Sequence, residues 1–330
     1  MNWKSLLIGL ALSCAIMLGS GTADAGNTLQ GHHAALLATG LEEAIGSTIG
    51  PDGALYVAQG TLGRIAHVDP QTGKITTFAS GLPKMLPSVG LGGAMDVAFI
   101  GKTAYVLVTL VSTDVGGHDV DGIYRMDGPD RFTVVADIGA FNMQHPPTIP
   151  FPFFIPTGVQ YALQTFRGGF LVTDGHLNRV LRVTLDGEIS VLIAFDDIVP
   201  TGLALSGNTV YLAEAGPVPH RPQDGKVVTF KPKAPTASAV ASGASLLVDV
   251  QFGPGHSLYA LSQGAYSGKP AGSPALPNTG ALVEVNRDGS FTVITSALDR
   301  PTSLQFIGNT AYVVTLTGQI WKIDNLSNVD

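Results

Sequence analysis

The sequence has little charge and almost no cysteine. Charged residues make up 13% of the 330 residues, against roughly 25% in an average soluble domain. The single cysteine, Cys14, lies in an apolar run near the N-terminus. Low charge argues against long amphipathic helices, because these need a charged face. With no cysteine after Cys14, the rest of the chain can form neither a disulfide nor a thiolate metal site.

A basic surface stripe is also missing. The net charge is −7, and the 18 lysines and arginines are scattered along the chain. Proteins that bind nucleic acids usually cluster such side chains on one face or along one helix. We therefore expect no nucleic-acid partner.

The first 25 residues have the pattern of an export signal. Lys4 gives a positive start, Leu6 to Leu18 form an apolar core, and Ala23-Asp24-Ala25 matches an A-x-A cleavage site. The apolar run is too short to span a membrane comfortably. We predict a signal peptide over residues 1–25 and a mature protein of residues 26–330, a single domain located in the periplasm or outside the cell.

What the sequence has in abundance is turn residues and a repeat. It contains 41 glycines and 21 prolines, and FIGKTAYV at 99–106 returns as FIGNTAYV at 306–313. Each repeat reads as four short strands rich in β-branched and aromatic residues. The aromatic anchors of the second strands are Tyr56, Tyr105, Phe170, Tyr211, Tyr259 and Tyr312. Six repeats of four strands predict an all-β fold, the six-bladed β-propeller.

The last repeat lacks its fourth strand. The segment from Ala34 to Leu41 resembles the segment from Ile75 to Leu82, which contains the fourth strand of the first repeat. We predict that this N-terminal strand completes the last blade and closes the ring. Closure leaves no open strand edge between the first and the last blade.

Nearly all insertions fall on one face of the predicted propeller. Loops between second and third strands share this face with the links between blades, and the long ones cover residues 81–93, 112–121, 140–156, 214–224 and 262–279. We call it the loop-rich face. Because function usually resides in loops on a rigid frame, we expect a small-molecule or protein ligand to bind there.

Candidate ligand-binding residues lie in these loops. The segment from Ile149 to Pro156 carries Phe151, Phe153 and Phe154 between prolines. It is either an aromatic wall for a flat or apolar ligand or a plug packed over blades two and three. Glu214, His118 and His220 complete the candidate ligand site. The four histidines of this face are expected at the surface: His118, His145, His176 and His220.

Acidic residues on or just before the innermost strands form a second candidate group. Glu43, Asp96 and Asp249 could converge at the channel mouth and hold a hard divalent cation such as Ca²⁺. The sequence has no HExxH motif, no G-x-S-x-G elbow and no glycine-rich phosphate loop. Serine hydrolase and nucleotide-dependent activities therefore have no support.

The repeat unit resembles known propellers. Its clearest copy, Gly50 to Ala58, is similar to NHL-type six-bladed propellers, which are related to gluconolactonase and strictosidine-synthase-like folds. Tyr211 to Gly216 and the Gly/Pro-rich insertion after Tyr259 resemble an exported bacterial family associated with biosynthesis of the pigment scytonemin. That resemblance implies an exported protein with an accessory role in secondary metabolism.

The enzymatic relatives bind a divalent metal through a Glu, an Asn and an Asp. Glu42 or Glu43 matches the first ligand, but neutral hydroxyls stand at the other two positions: Thr157, Thr201 and Thr302. The resemblance therefore leaves two functions open. The first is a non-catalytic binding propeller. The alternative is a metal-dependent hydrolase or lactonase with a changed ligand set drawn from Glu43, Asp96, Glu214 and Asp249.

Overall fold

The protein is a six-bladed β-propeller. The computed structural model describes residues 34–326, so the predicted signal peptide lies outside the described residues. Within that range the strands form six four-stranded antiparallel sheets. None of the described helices is long and apolar enough to cross a membrane.

Each of the first five blades runs from an innermost to an outermost strand in chain order. Blades one to three consist of β2 Ala44–Ile49, β3 Leu55–Gln59, β4 Arg64–Val68, β5 Ile75–Ala79; β6 Gly93–Ile100, β7 Thr103–Thr109, β8 Gly122–Met126, β9 Phe132–Asp137; and β10 Gln160–Phe166, β11 Gly169–Asp174, β12 Arg179–Thr184, β13 Ile189–Ala194. Blades four and five consist of β14 Pro200–Ser206, β15 Thr209–Glu214, β16 Lys226–Lys231, β17 Ala234–Ser242; and β18 Leu247–Phe252, β19 Leu258–Ser262, β20 Gly280–Val285, β21 Phe291–Leu298.

The sixth blade confirms the predicted ring closure. It contains β22 Pro301–Ile307, β23 Thr310–Thr315 and β24 Ile320–Ile323. Its fourth strand is β1 Ala34–Ala38, which pairs antiparallel to β24 with Ala34 opposite Ile323. Residues from the two ends of the described chain therefore share one sheet.

The two copies of the FIG motif are equivalent hairpins of blades two and six. Gly101 and Gly308 follow β6 and β22, and both have a φ of 59°. Glycine reaches this conformation without strain and is favoured at the first central position of a II′ turn. The repeated motif is therefore structural.

Apolar side chains fill all six interfaces between adjacent blades. Second-strand aromatics pack against an aromatic ring of the following blade. Tyr56 lies 4.7 Å from Phe99 and Tyr259 lies 5.0 Å from Phe306, measured between ring centroids. The repeated tyrosine was thus a signal of packing between blades.

Candidate functional site

The loops of the loop-rich face lie where the sequence placed them. The loop β7–β8 spans residues 110–121, β15–β16 spans 215–225, and β19–β20 spans 263–279. The link from blade two to blade three contains the one α-helix of the described residues, α1 Ile138–Gln144. Asp137 caps it by accepting a hydrogen bond from the Ala140 N–H at 2.7 Å.

Half of the large exposed apolar side chains of the described residues lie on these loops and links. Among residues 34–326, the large exposed apolar residues of the loop-rich face are Met143, Ile149, Phe154, Val218 and Leu276. The other large exposed ones are Leu36, Val134, Val191 and Val293 on outermost strands and Leu185 in a hairpin of the opposite face. Exposed apolar surface on loops suits an apolar ligand or partner.

The same face is acidic. Its loops and links carry Glu42, Glu43, Asp114, Asp119, Asp121, Asp196, Asp197, Asp224 and Asp299, against only Lys84, Arg221, Lys269 and Arg300. This excess of carboxylates disfavours an anionic ligand.

An aromatic and histidine cluster lies on blades three to five of this face. Its members are Phe153, Tyr161, His176, His220 and Tyr266. The Phe153 and His176 ring centroids are 4.5 Å apart, and those of His220 and Tyr266 are 6.1 Å apart. The Tyr161 hydroxyl lies 3.0 Å from Nε2 of His176. Since Tyr161 also lines the central channel, the cluster connects the loops to the channel.

Both histidines of this cluster are buried, so the expectation of a surface position was wrong for them. His176 is 7% exposed and His220 is 8% exposed. Burial lowers the pKa of His176 to about 4, with the nearby His220 as a smaller cause. Burial also lowers the pKa of His220. Both rings are therefore neutral at neutral pH.

His220 has one ring nitrogen committed to the backbone. Nδ1 lies 2.7 Å from the Gly216 carbonyl oxygen and 3.3 Å from that of Ala215. A nitrogen facing two carbonyls carries the proton, so Nε2 is an acceptor, and no described residue donates to it. This geometry folds the imidazole back over the residues that directly follow Glu214.

Glu214, the last residue of β15, is 4% exposed. Burial raises the pKa of its carboxyl to about 7, and the Lys226 ammonium partly offsets this rise.

The phenylalanine segment shows features of both interpretations, the aromatic wall for a ligand and the plug packed over the blades. Phe153 is half-buried against His176, whereas Phe154 is exposed.

His118 and His145 fulfil the expectation of a surface position. Both are exposed, and the ring of His145 stacks on Phe141 with the centroids 4.3 Å apart. No ring contact or hydrogen bond joins His118 to the cluster among the described residues. Of the predicted ligand-binding residues, Phe153 and His220 therefore belong to the cluster, whereas His118 lies apart from it.

The central channel holds the two aspartates of the innermost strands. Asp96 and Asp249 line a cavity of about 320 Å³. Each carboxylate accepts a hydrogen bond from the next blade: Asp96 from the Leu163 N–H and Asp249 from the Leu304 N–H, both at 2.8 Å. Blades two and five are opposite in a ring of six, so these residues form an approximate two-fold pair.

Small residues make room for this pair. A Cβ on Gly46 would lie 2.3 Å from Oδ1 of Asp96, and one on Gly202 would lie 2.6 Å from Oδ1 of Asp249. Burial, with the nearby charge of Asp249 as a smaller cause, raises the pKa of Asp96 to about 8. Burial raises the pKa of Asp249 to about 7.

The residues present do not fit the divalent metal that the resemblance implies. Within residues 34–326 no three His, Cys, Asp or Glu side chains lie close enough together to hold a metal ion. Glu43 hydrogen-bonds to the Thr61 hydroxyl and does not line the channel cavity. The Thr201 and Thr302 hydroxyls lie 2.8 Å and 3.0 Å from carbonyl oxygens of the next blade, those of Leu247 and Ala44, so they serve blade packing.

The sequence reasoning missed a buried ionic network beside α1. Nε of Arg179 lies 3.0 Å from Oδ2 of Asp174, and both side chains are buried. Asn142 and Gln160 donate to the same carboxylate at 2.9 Å and 3.0 Å. One sequence signal could have predicted this network. A Lys or Arg at the first position of a third strand lies directly opposite the last residue of the second strand, as Arg179 does.

Comparison with known proteins supports the fold. No protein-family model and no curated protein matches the sequence. A gluconolactonase from Xanthomonas campestris superposes with a TM-score of 0.60 and 12% identity, covering 89% of each chain. Virginiamycin B lyase from Staphylococcus aureus gives 0.52 and 13%, covering 89% of this chain and 99% of its own.

A third similar structure is the PQQ-bound aldose sugar dehydrogenase from Streptomyces coelicolor. It gives a TM-score of 0.54 and 15% identity, covering 89% of this chain and 98% of its own. At such identities the likeness shows a shared six-bladed architecture alone. The activities of these three enzymes differ although the scaffold is shared, so function has to be argued from the site.

Proposed function

We propose that this chain is an exported propeller that binds a small ligand with an apolar, aromatic-compatible body on its loop-rich face. The observation that carries the proposal is the presence of exposed apolar side chains on the loops and links of this face, together with the buried neutral histidines of the cluster. Concave sites with apolar walls and a few polar groups are the usual form of small-molecule sites.

The predicted signal peptide supports export, and the resemblance to the scytonemin-associated family supports an accessory role in secondary metabolism. The alternative, a metal-dependent hydrolase, draws its support from lactonases among proteins of the same fold. The lack of a metal-binding group among the described residues weighs against it. Binding without a metal is therefore the function that we favour.

A neutral apolar dye tests where this surface lies. We expect Nile red fluorescence to rise with the native protein and to fall at least threefold with Phe154→Ser. Phe154 is exposed, so its replacement should leave the melting temperature unchanged within a few degrees. Phe153→Ser should lower the melting temperature in addition to the dye fluorescence, because that ring packs against His176.

Val191→Ser is the matched control. Val191 is 42% exposed, close to the 45% of Phe154, but it lies on the outermost strand β13. This variant should bind the dye as the native protein does. Unchanged dye binding by Phe154→Ser would place the binding surface elsewhere, and a large loss of stability in that variant would favour the packing interpretation of the segment.

A further inference from the structure

The end of the second strand is a polar position in every blade. The six residues pair in register with the start of the innermost strand, and they are Gln59, Thr109, Asp174, Glu214, Ser262 and Thr315. All of them lie next to the loop-rich face. The position therefore allows a direct comparison of six equivalent side chains in one molecule.

Five of these side chains have hydrogen-bond partners. In blade one, Gln59 accepts from Nε of Arg64 at 2.6 Å, and in blade two the Thr109 hydroxyl donates to Gln160 at 2.7 Å. Asp174 accepts from three donors. The hydroxyl of Ser262 donates to the Ser245 carbonyl at 2.6 Å, and Thr315 lies 3.0 Å from the Thr317 hydroxyl.

Glu214 is the exception. No hydrogen bond and no ion pair to its carboxyl exists among residues 34–326, although the residue is 96% buried, being 4% exposed. Lys226 lies opposite Glu214 in the strand register, where Arg179 lies opposite Asp174 in blade three. Yet the Lys226 ammonium acts on the carboxyl only at a distance. A buried polar group with no partner is rare and calls for an explanation.

The direction of the Glu214 side chain follows from strand alternation. Leu212 and Val210, two and four residues earlier on β15, pack into the cluster between blades three and four. Glu214 faces the same side, at the end of the strand next to the loop-rich face. The cluster histidines lie in the loops that follow, His176 after β11 and His220 after β15.

We propose that Glu214 is the specificity-determining residue of the ligand site, and that it accepts a hydrogen bond from a neutral hydroxyl or amide N–H on an otherwise apolar ligand. This inference rests on the proposed function. Among residues 34–326 no donor is bonded to the Glu214 carboxyl or to Nε2 of His220, so the complementary ligand group is a donor. The nearby Lys226 ammonium repels a cationic group and thereby favours a neutral donor over an ammonium.

The stability of the free protein tests whether Glu214 lacks a partner. At pH 8.5 the carboxyl is ionised and buried, so we expect Glu214→Gln to raise the melting temperature by about 3 °C or more. Asp174→Asn is the matched control, because it changes a fully partnered carboxyl at the equivalent position and should lower the melting temperature. A lower melting temperature for Glu214→Gln would show that Lys226 closes onto Glu214 in solution, which would overturn the inference.

Ligand selectivity tests the chemical class. We would titrate 2-phenylethanol and ethylbenzene, which differ by one hydroxyl, and follow binding by ligand-observed NMR. The native protein should prefer 2-phenylethanol at least about tenfold, as expected for a hydrogen bond to a charged group. Glu214→Met should bind both within about threefold of each other.

Each alternative result has a definite meaning. Equal binding of both probes by the native protein would overturn the role of Glu214 and leave the proposed function standing. No binding of either probe at millimolar concentration would overturn both. A preference for phenethylamine over 2-phenylethanol would overturn the neutral-donor class.

Discussion

Replacing Asp174 with alanine is expected to lower the free energy of unfolding by about 3–5 kcal/mol, the usual effect of breaking a buried ion pair. The guanidinium of Arg179 would remain buried with no countercharge. Asn142 and Gln160 would also lose the acceptor of one amide donor each. Urea unfolding followed by circular dichroism measures this change.

The network holds the link between blades two and three. Arg179 also donates to the Asn142 side chain and to the His145 carbonyl, both at 2.7 Å, so it ties α1 to blade three. Because the loss comes mainly from the uncompensated charge, a double variant that replaces Asp174 with leucine and Arg179 with methionine should recover at least half of it.

An exposed ion pair provides the control for this prediction. Nε of Arg125 lies 2.7 Å from Asp127, and both side chains are partly exposed. Asp127→Ala should lower the free energy of unfolding by no more than about 1 kcal/mol. If Asp174→Ala were equally mild, the buried network would not exist in solution.

The second large effect concerns pH. Between pH 6.5 and 9 the free energy of unfolding should fall by about 2–4 kcal/mol through Asp96 and Asp249 alone. Their folded-state pKa values, about 8 and about 7, lie above the ordinary 3.8. The folded protein therefore keeps protons that the unfolded chain releases, and this stabilisation is lost as the pH rises through the folded values.

The carboxyl groups dominate the change across this window. His176 and His220 have lowered pKa values and act in the opposite direction, but their effect ends at about pH 7.5, where the unfolded histidines have lost their protons. Glu214, at about 7, acts in the same direction as the aspartates. Urea titrations at four pH values across this window would measure how the free energy of unfolding changes with pH.

A double variant separates the aspartates from the other groups. Asp96→Asn with Asp249→Asn should be less stable at pH 6.5, because an amide nitrogen would face a backbone N–H donor at each site. Its stability should nevertheless change much less with pH than that of the native protein. If the free energy of unfolding changed equally with pH in the native protein and the double variant, the pKa shifts of the channel aspartates would be contradicted.

The fold was readable from the sequence because its signals are local and repeated. The tyrosine anchors, the glycine turns and the missing fourth strand each depend on a few neighbouring residues, and six copies reinforce one another. The strand β1 could be assigned to the last blade because Ala34 to Leu41 resembles the segment that contains β5. Likewise, the loop-rich face followed from the order of strands within a blade.

The site depended on contacts that no local pattern contains. Phe153 and Glu214 were singled out by residue type, but their different environments depend on neighbours from other blades. His176 was expected at the surface, and only the folded ring brings Tyr161 and Phe153 against it. Asp96 and Asp249 were expected to join Glu43 in a metal site, but the structure places the two aspartates in the channel without Glu43.

The sequence by itself determined the number of blades, the closure of the ring and the face that carries the long loops. The tertiary structure decided which polar groups are satisfied: Asp174 has three donors, whereas Glu214, at the equivalent position, has none among residues 34–326. The physical reason is that strand pairing depends on the alternation of apolar and polar residues over short stretches and on the residue types at the turns. Burial and hydrogen bonding of a side chain depend instead on residues distant in the sequence, which meet only when the ring closes.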